Sequence, residues 1–142
     1  MKTFLAFVCS ATITAALIHA QAPRVAKPYK VVFDLTSDDP HDQTAVVRWV
    51  REVAESNPQN EMEVVMYGRG LALVMPDKSS QLAEVKAAMA LPHVAFKVCE
   101  IAMKNQHVSR SQLLPAVGTV PDGIAEIVGK QTQGWGYIKA IH

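Results

Sequence analysis

Cysteine is scarce in this sequence of 142 residues, and neither a long apolar run nor an excess of one charge is present. The apolar stretch 4–18 is shorter than the roughly 20 residues of a membrane-spanning helix, and Ser10, Thr12 and Thr14 interrupt it. We therefore predict no stable insertion into a membrane. The 14 basic and 13 acidic residues nearly balance, so charge gives no reason to expect binding to nucleic acid.

The N-terminus has the layout of a secretory signal peptide. Lys2 precedes the apolar stretch, and the small residue Ala20 precedes the polar segment QAPRVAKPYK. We predict a signal peptide over residues 1–20, with cleavage after Ala20 and a cut after Ala22 as the alternative. The protein is then expected to cross the inner membrane and to reside in the periplasm.

The predicted signal peptide carries Cys9 and Lys2, so its removal leaves one cysteine, Cys99, and 13 basic against 13 acidic residues. An intramolecular disulfide is then impossible. A single cysteine in an exported protein indicates an intermolecular disulfide or a free reactive thiol. The alternative is a buried, inert thiol that behaves as a small apolar side chain.

The 122 residues that remain of 142 are enough for one domain with its own hydrophobic core. Neither an internal repeat nor a low-complexity tract divides the chain. Residues 21–28, QAPRVAKP, are polar and contain two prolines, which predicts a flexible N-terminal arm. We assign residues 29–142 to a single domain.

Apolar runs typical of buried strands alternate with stretches of helical periodicity. Strands are predicted over Tyr29–Leu35, Glu61–Tyr67, His93–Cys99 and residues 134–141. Helices are predicted from Pro40 to about Ser56 with Asp39 as the N-cap, from Ser80 onward, over Glu100–Asn105 and within residues 120–133. Residues 107–119 are assigned as a connection. The alternation predicts an α/β fold whose parallel sheet carries helices on both faces.

The last predicted helix carries an apolar stripe. Ile124, Ile127 and Val128 recur at helical spacing, which indicates a helix. Thr119 and Asp122 precede them and are predicted as the capping pair of that helix.

Cys99 falls at the carboxyl end of the third predicted strand and at the start of a helix. A parallel sheet binds its ligands outside the carboxyl ends of its strands. The backbone N–H groups and the dipole at a helix start stabilise a thiolate, which favours a reactive Cys99 over an inert one. Lys97 adds to that stabilisation if the strand is regular, whereas the carboxylate of Glu100 opposes it.

A second candidate site is MYGRG, residues 66–70, at the end of the second predicted strand. Gly68 and Gly70 allow the backbone to approach a ligand closely, and the guanidinium of Arg69 can hold an anion. The pattern lacks the third glycine of a dinucleotide fingerprint and the lysine of a phosphate loop. The alternative is a tight turn with a solvated arginine.

No metal and no cofactor is predicted. His41, His93, His107 and His142 are scattered without the spacing of metal ligands. A Cys–His hydrolase would need a histidine within hydrogen-bond reach of Cys99, and the sequence assigns none of them to that place.

Four stretches of the chain resemble a known family: VVMYGRGLALV at 64–74, VAFKVCEIAMK at 94–104, VPDGIAEIV at 120–128 and QTQGWGYIKA at 131–140. Their order and spacing, with a cysteine after the third strand, are similar to the DsrE/DsrF-like superfamily of small sulfur-handling proteins, in its exported single-domain branch. The resemblance implies a flavodoxin-like three-layer sandwich with a mostly parallel sheet of about five strands. It also implies assembly as a homotrimer or homohexamer, and it matches Cys99 with the family's persulfide-accepting cysteine.

The resulting expectation is a sulfur carrier that accepts sulfane sulfur on Cys99 and passes it on, rather than an enzyme with turnover. Its expected partners are sulfane-sulfur donor and acceptor proteins or small thiols, since the family's cytoplasmic relay partners are not available to an exported protein. Two alternatives stay open. One is a non-catalytic oligomeric protein that binds a small anion or ligand with Gly68, Arg69, Gly70 and Glu100 beside the thiol. The other is a thiol redox sensor, which needs a resolving thiol from a second molecule.

Overall fold

The structure, a computed structural model, describes residues 27–141. The predicted signal peptide, with Cys9, and residues 21–26 of the predicted arm lie outside the described residues. No helix in the described part is long and apolar enough to cross a membrane. Export and the periplasmic location stay predictions.

A parallel sheet forms the centre of the fold. Within residues 27–141 its strands are β1 Lys30–Leu35, β2 Glu61–Met66, β3 Val94–Cys99, β4 Gly118–Val120 and β5 Gly136–Lys139. Their order across the sheet is β4-β3-β2-β1-β5, and every neighbouring pair is parallel. All the carboxyl ends therefore lie at one edge of the sheet, where a parallel sheet places its ligands.

Helices cover both faces of the sheet. They are α1 Pro40–Ser56, α2 Leu82–Met89, α3 Glu100–Asn105 and α4 Gly123–Thr132, with 3₁₀ turns at Gly68–Val74 and Arg110–Gln112. The larger core lies on the face covered by α1 and α2, where Phe33 and Val50 are fully buried. A smaller core of Val32, Val65 and Ile127 lies under α4 on the opposite face. The predicted α/β three-layer sandwich is confirmed.

The start of α1 follows from its sequence, as predicted. Asp39 has an extended backbone, and its Oδ1 accepts a hydrogen bond from the His41 amide at 2.7 Å. Pro40 takes the first helical position, where its missing N–H is harmless because that donor has no partner inside a helix. The helix ends at Ser56, the predicted residue.

One strand is missing from the sequence-based prediction. β4 lies almost entirely within residues 107–119, the stretch assigned as a connection. Three residues that begin with glycine are too few to show the alternation of a strand, and β4 forms because it pairs with residues 97–99 of β3. The other boundaries move by small amounts, since β1 begins at Lys30, β2 ends at Met66, β3 begins at Val94, α2 begins at Leu82 and β5 spans only Gly136–Lys139.

The predicted capping pair of α4 is half wrong. Asp122 does cap the helix, because its Oδ1 accepts hydrogen bonds from the amides of Ile124 at 2.8 Å and Ala125 at 3.4 Å. Thr119 instead belongs to β4, and its hydroxyl donates to Oε1 of Glu100 at 2.7 Å. The pairing of β4 with β3 takes Thr119 away from the helix start.

The apolar stripe of α4 is only partly buried. Ile127 is 6% exposed, whereas Ile124 and Val128 are 59% and 53% exposed. The helix packs mainly against the sheet, so its two flanks face outward. Helical spacing therefore identifies the helix correctly but not the fraction of its apolar surface that the fold covers.

A buried ion pair holds α4 against the sheet. Glu63 of β2 is 3% exposed, and its Oε2 accepts a hydrogen bond from Nζ of Lys130 at 2.8 Å. Lys130 Nζ also lies 3.5 Å from the Glu126 carboxylate and 4.3 Å from the ring centre of Trp135.

Burial raises the pKa of Glu63, and the hydrogen bond from Lys130 offsets this rise only in part. Burial lowers the pKa of Lys130, but the hydrogen bond and charge of Glu63 outweigh it, so the net shift is upward.

Replacement of Lys130 by methionine should destabilise the fold strongly, because it leaves the Glu63 carboxylate buried without its cation. We expect Lys130→Met to lower the free energy of unfolding by about 3 kcal/mol in urea titrations. Arg48→Met is the matched control, since Arg48 Nε makes an exposed pair with Glu52 at 3.5 Å. That control should change stability by less than about 0.5 kcal/mol. Similar losses for the two variants would show that the buried pair does not anchor α4.

Candidate functional site

Cys99 is the last residue of β3 and the N-cap of α3, at the carboxyl edge of the sheet. Among residues 27–141 it is the only cysteine, and it is a free thiol with 5% of its surface exposed. Its extended backbone, with φ −70° and ψ 121°, takes the chain from the strand into the helix without a loop. The predicted position of Cys99 at a strand-to-helix junction is confirmed.

A pocket of about 440 Å³ opens beside Cys99. Its lining comes from residues 67–69 after β2, from the end of β3, from α3 and from the start of α4, and it includes Tyr67, Cys99, Ile101, Ala102 and Ile124. Most of the lining surface is apolar. The volume lies in the range of small-molecule sites, roughly 300 to 1,000 Å³. The thiol is therefore nearly buried, yet a small ligand can reach it from the edge of the sheet.

Gly123, the first residue of α4, allows this helix to pack closely against the thiol residue. A Cβ at position 123 would lie 3.1 Å from the Cβ of Cys99, 3.3 Å from Cγ1 of Val65 and 3.4 Å from the Cβ of Tyr67. These distances are tight, so a larger residue would push α4 away from the pocket wall. Glycine at this position thus fixes the distance between α4 and the thiol.

The two charged neighbours of Cys99 in the sequence both extend towards β4. Lys97 places its Nζ next to Gly118, where an added Cβ would lie 2.7 Å from that atom. The carboxylate of Glu100 accepts the hydrogen bond from the Thr119 hydroxyl at 2.7 Å. Neither Lys97 nor Glu100 lines the pocket that contains Cys99. The contacts of these two side chains are therefore with β4 and not with the pocket.

The glycine-rich segment is a 3₁₀ turn that packs on the end of β1. Gly68 has φ +53°, a left-handed conformation that favours glycine. A Cβ at Gly70 would lie 2.1 Å from the carbonyl oxygen of Leu35, so this position admits no side chain without a backbone shift. Gly70 is thus required by packing, and it does not line the pocket, whereas Gly68 does.

Arg69 lines the pocket, and its side chain forms an exposed ion pair with Asp38. Its Nε lies 3.2 Å from Oδ1 of Asp38, and its amide donates to the carbonyl of Thr36 at 3.0 Å. The Gly70 amide donates to the carbonyl of Tyr67 at 3.0 Å. The two amides are therefore already bonded within the chain, and the guanidinium, which the sequence suggests as an anion ligand, has a carboxylate partner at its Nε.

A buried carboxylate beside the pocket is absent from the sequence-based prediction. Asp34 of β1 is 3% exposed, and its Oδ2 accepts hydrogen bonds from the hydroxyls of Tyr137 at 2.7 Å and Tyr67 at 3.2 Å. Nζ of Lys139 lies 3.4 Å from the same oxygen, while Oδ1 has no hydrogen-bond partner among the described residues. One acidic residue within the apolar run YKVVFDL is the sequence signal that could have identified this cluster.

The cluster raises the pKa of both tyrosines to about 12. For Tyr67 the largest cause is burial, followed by the charge and hydrogen bond of Asp34, with a smaller contribution from Cys99. For Tyr137 the largest cause is the hydrogen bond to Asp34. Both hydroxyls therefore keep their protons at neutral pH, and Tyr67 is a neutral wall of the pocket.

A free thiol that lines a small pocket at the carboxyl edge of a parallel sheet defines a small flavodoxin-like α/β protein with a thiol site. The chain belongs to the DsrE/DsrF-like family, whose model matches residues 30–140. The family and fold expected from the resemblance are confirmed.

Among solved structures, the chain resembles MTH1491, a protein of unknown function from Methanobacterium thermoautotrophicum. The two chains are 29% identical, and their structures superpose with a TM-score of 0.73. The match covers 78% of this chain and 98% of that chain. No curated protein matches the sequence.

The contact between Gly70 and the end of β1 can be tested with two glycine-to-alanine variants. Gly70→Ala places a methyl group against the Leu35 carbonyl and should lower the free energy of unfolding by about 2 kcal/mol. Gly129→Ala is the control, because a Cβ there meets nothing within 4 Å. Alanine in this helix should stabilise the protein by about 0.5 kcal/mol. A neutral Gly70→Ala variant would contradict the packing role.

The Asp34 cluster can be tested by titration of the tyrosines. Asp34→Asn removes the charge that disfavours ionised phenol, so the pKa of both Tyr67 and Tyr137 should fall from about 12. The fall should be larger for Tyr137, because burial alone still raises the pKa of Tyr67. Tyrosinate absorbance after rapid pH jumps measures both values, and Tyr67→Phe and Tyr137→Phe assign them. Unchanged values in Asp34→Asn would exclude Asp34 as the cause.

Proposed function

We propose that this protein carries sulfane sulfur as a persulfide on Cys99. The observation that carries the proposal is the position of this thiol, at the carboxyl edge of the sheet and in the wall of a pocket that a small molecule can enter. Membership of the DsrE/DsrF-like family supports the same chemistry. The role is that of a carrier, with one sulfur atom accepted and later released, rather than that of an enzyme with its own turnover.

The transfer needs no oxidant and no reductant. The Cys99 thiolate attacks the outer sulfur of a donor R–S–SH, the sulfur–sulfur bond of the donor breaks, and R–S⁻ leaves with the bonding electron pair. Cys99 then holds the sulfur as Cys–S–SH. An acceptor thiolate attacks that outer sulfur in the second step and restores the Cys99 thiolate. Donor and acceptor are proteins or small thiols of the compartment in which the protein resides.

The contacts of residues 68–70 favour this carrier over the anion-binding alternative. The amides of Arg69 and Gly70 donate to backbone carbonyls, and the Arg69 guanidinium pairs with Asp38. An anion would find both amides occupied and would compete with Asp38 for the guanidinium, whereas a persulfide on Cys99 needs none of these groups. The redox-sensor alternative needs a second thiol from another molecule, because Cys99 is the only cysteine within residues 27–141.

The proposal includes export and assembly. Export to the periplasm rests on the layout of residues 1–20, and a homotrimer or homohexamer rests on the family resemblance. Large apolar side chains exposed near the β5 edge support self-association: Tyr29, Tyr137, Ile138 and Ile141. Light scattering on the purified protein measures the oligomer count directly.

Exposure of the protein to a sulfane-sulfur donor should add the mass of one sulfur atom at Cys99. Intact-protein and peptide mass spectrometry measure the addition, and a thiol reductant should reverse it. Cys99→Ser is the control and should gain nothing. The carrier role fails if Cys99 reacts with ordinary thiol reagents yet never acquires sulfur from any persulfide donor.

A further inference from the structure

Exposed apolar side chains line the pocket at Cys99. Ile101 and Ile124, which line it from α3 and α4, are 51% and 59% exposed. Ala102 adds a small apolar surface next to the thiol. An organic group that enters the pocket therefore removes aliphatic surface from water, which favours its binding.

The charges around the pocket do not attract anions. Arg69 is the one cationic side chain in the lining contributed by residues 27–141, and Asp38 pairs with it at 3.2 Å. Asp122 also lines the pocket and adds a second carboxylate, which caps α4. These three side chains together carry one net negative charge. A donor with a carboxylate or sulfonate meets no unpaired cation here.

The side-chain amides in the lining add polar groups without adding charge. The side chain of Gln106 donates to the carbonyl of Gly68, and both residues line the pocket. Asn105 lines the pocket as well, and an amide of this kind recognises neutral polar groups as readily as charged ones. Mostly apolar walls with a few polar groups are typical of sites that bind small organic molecules.

We propose that the sulfur donor of Cys99 is a low-molecular-weight persulfide whose organic part is apolar and uncharged, and that Asp38 sets this preference by neutralising Arg69. The proposal rests on the carrier function proposed above. The Cys99 thiolate attacks the outer sulfur of R–S–SH, and the apolar R group lies between Ile101 and Ile124 while R–S⁻ leaves. A donor whose R group carries a carboxylate reacts more slowly because the Asp38 carboxylate cancels the attraction of Arg69.

Benzyl persulfide and para-carboxybenzyl persulfide form a matched donor pair, because they differ by one carboxylate. Rates of persulfide formation on Cys99, each divided by the rate of the same donor with a free small thiol, should favour the benzyl compound. Asp38→Asn should raise the relative rate of the carboxylate donor by up to about fivefold, the factor for one unit charge at about 4 Å in water, since Asp38 acts through Arg69 and does not itself line the pocket. Added salt should reduce that gain, since the groups are exposed to solvent.

Glu52→Gln is the matched control, because it removes a carboxylate from an exposed arginine pair on α1 that does not line the pocket. It should leave both donor rates unchanged. Equal normalised rates for the two donors in the wild type, together with no effect of Asp38→Asn, would overturn the proposed charge selection.

A pair of aromatic disulfides separates this inference from the carrier function. Dithiodipyridine is uncharged and dithiobis(nitrobenzoate) carries two carboxylates, and both report attack by the Cys99 thiolate without any sulfur transfer. A preference for dithiodipyridine that shrinks in Asp38→Asn supports the charge selection. If that preference is found while no persulfide loads Cys99, the carrier function is overturned and the selectivity of the pocket stands.

Discussion

The buried pair between Glu63 and Lys130 decides where α4 lies, and the wall of the thiol pocket depends on α4. Ile127 is the one large apolar side chain of this helix that is buried, and such a side chain contributes about 2 kcal/mol. The hydrogen-bonded ion pair supplies the second attachment, from the helix to the middle of β2. Because Gly123 contacts Cys99 at the other end of the same helix, a charge pair distant from the thiol determines how closely the pocket closes on it.

Two charged groups near the thiol, Glu100 and Arg69, have partners other than Cys99. Glu100 accepts from Thr119, and Arg69 pairs with Asp38. Burial and the neighbouring carboxylate raise the pKa of Tyr67 to about 12, so its phenol stays neutral even in alkaline solution. The groups that line the pocket beside Cys99 are therefore mostly apolar or uncharged.

Sequence patterns predict the centre of this fold better than its edges. The central strands are buried on both faces and appear as continuous apolar runs, and Asp39 with the following proline defines the start of α1. The exposure of Ile124 and the existence of β4 depend on which elements meet across the sheet, and no local pattern contains that information. The same holds at the site: the strand-to-helix pattern places Cys99, whereas the partners of Asp34 and Arg69 belong to other elements of the fold.

The absence of a second cysteine from residues 27–141 has a kinetic consequence for a carrier. A neighbouring thiol would attack a persulfide, release hydrogen sulfide and close a disulfide, which would empty the protein without any partner. Residues 27–141 contain no second thiol that could carry out this reaction. If Cys99 carries sulfur as proposed, its persulfide is discharged only by a thiol from another molecule, and the loaded fraction then reflects the recent supply of donors against that of thiols.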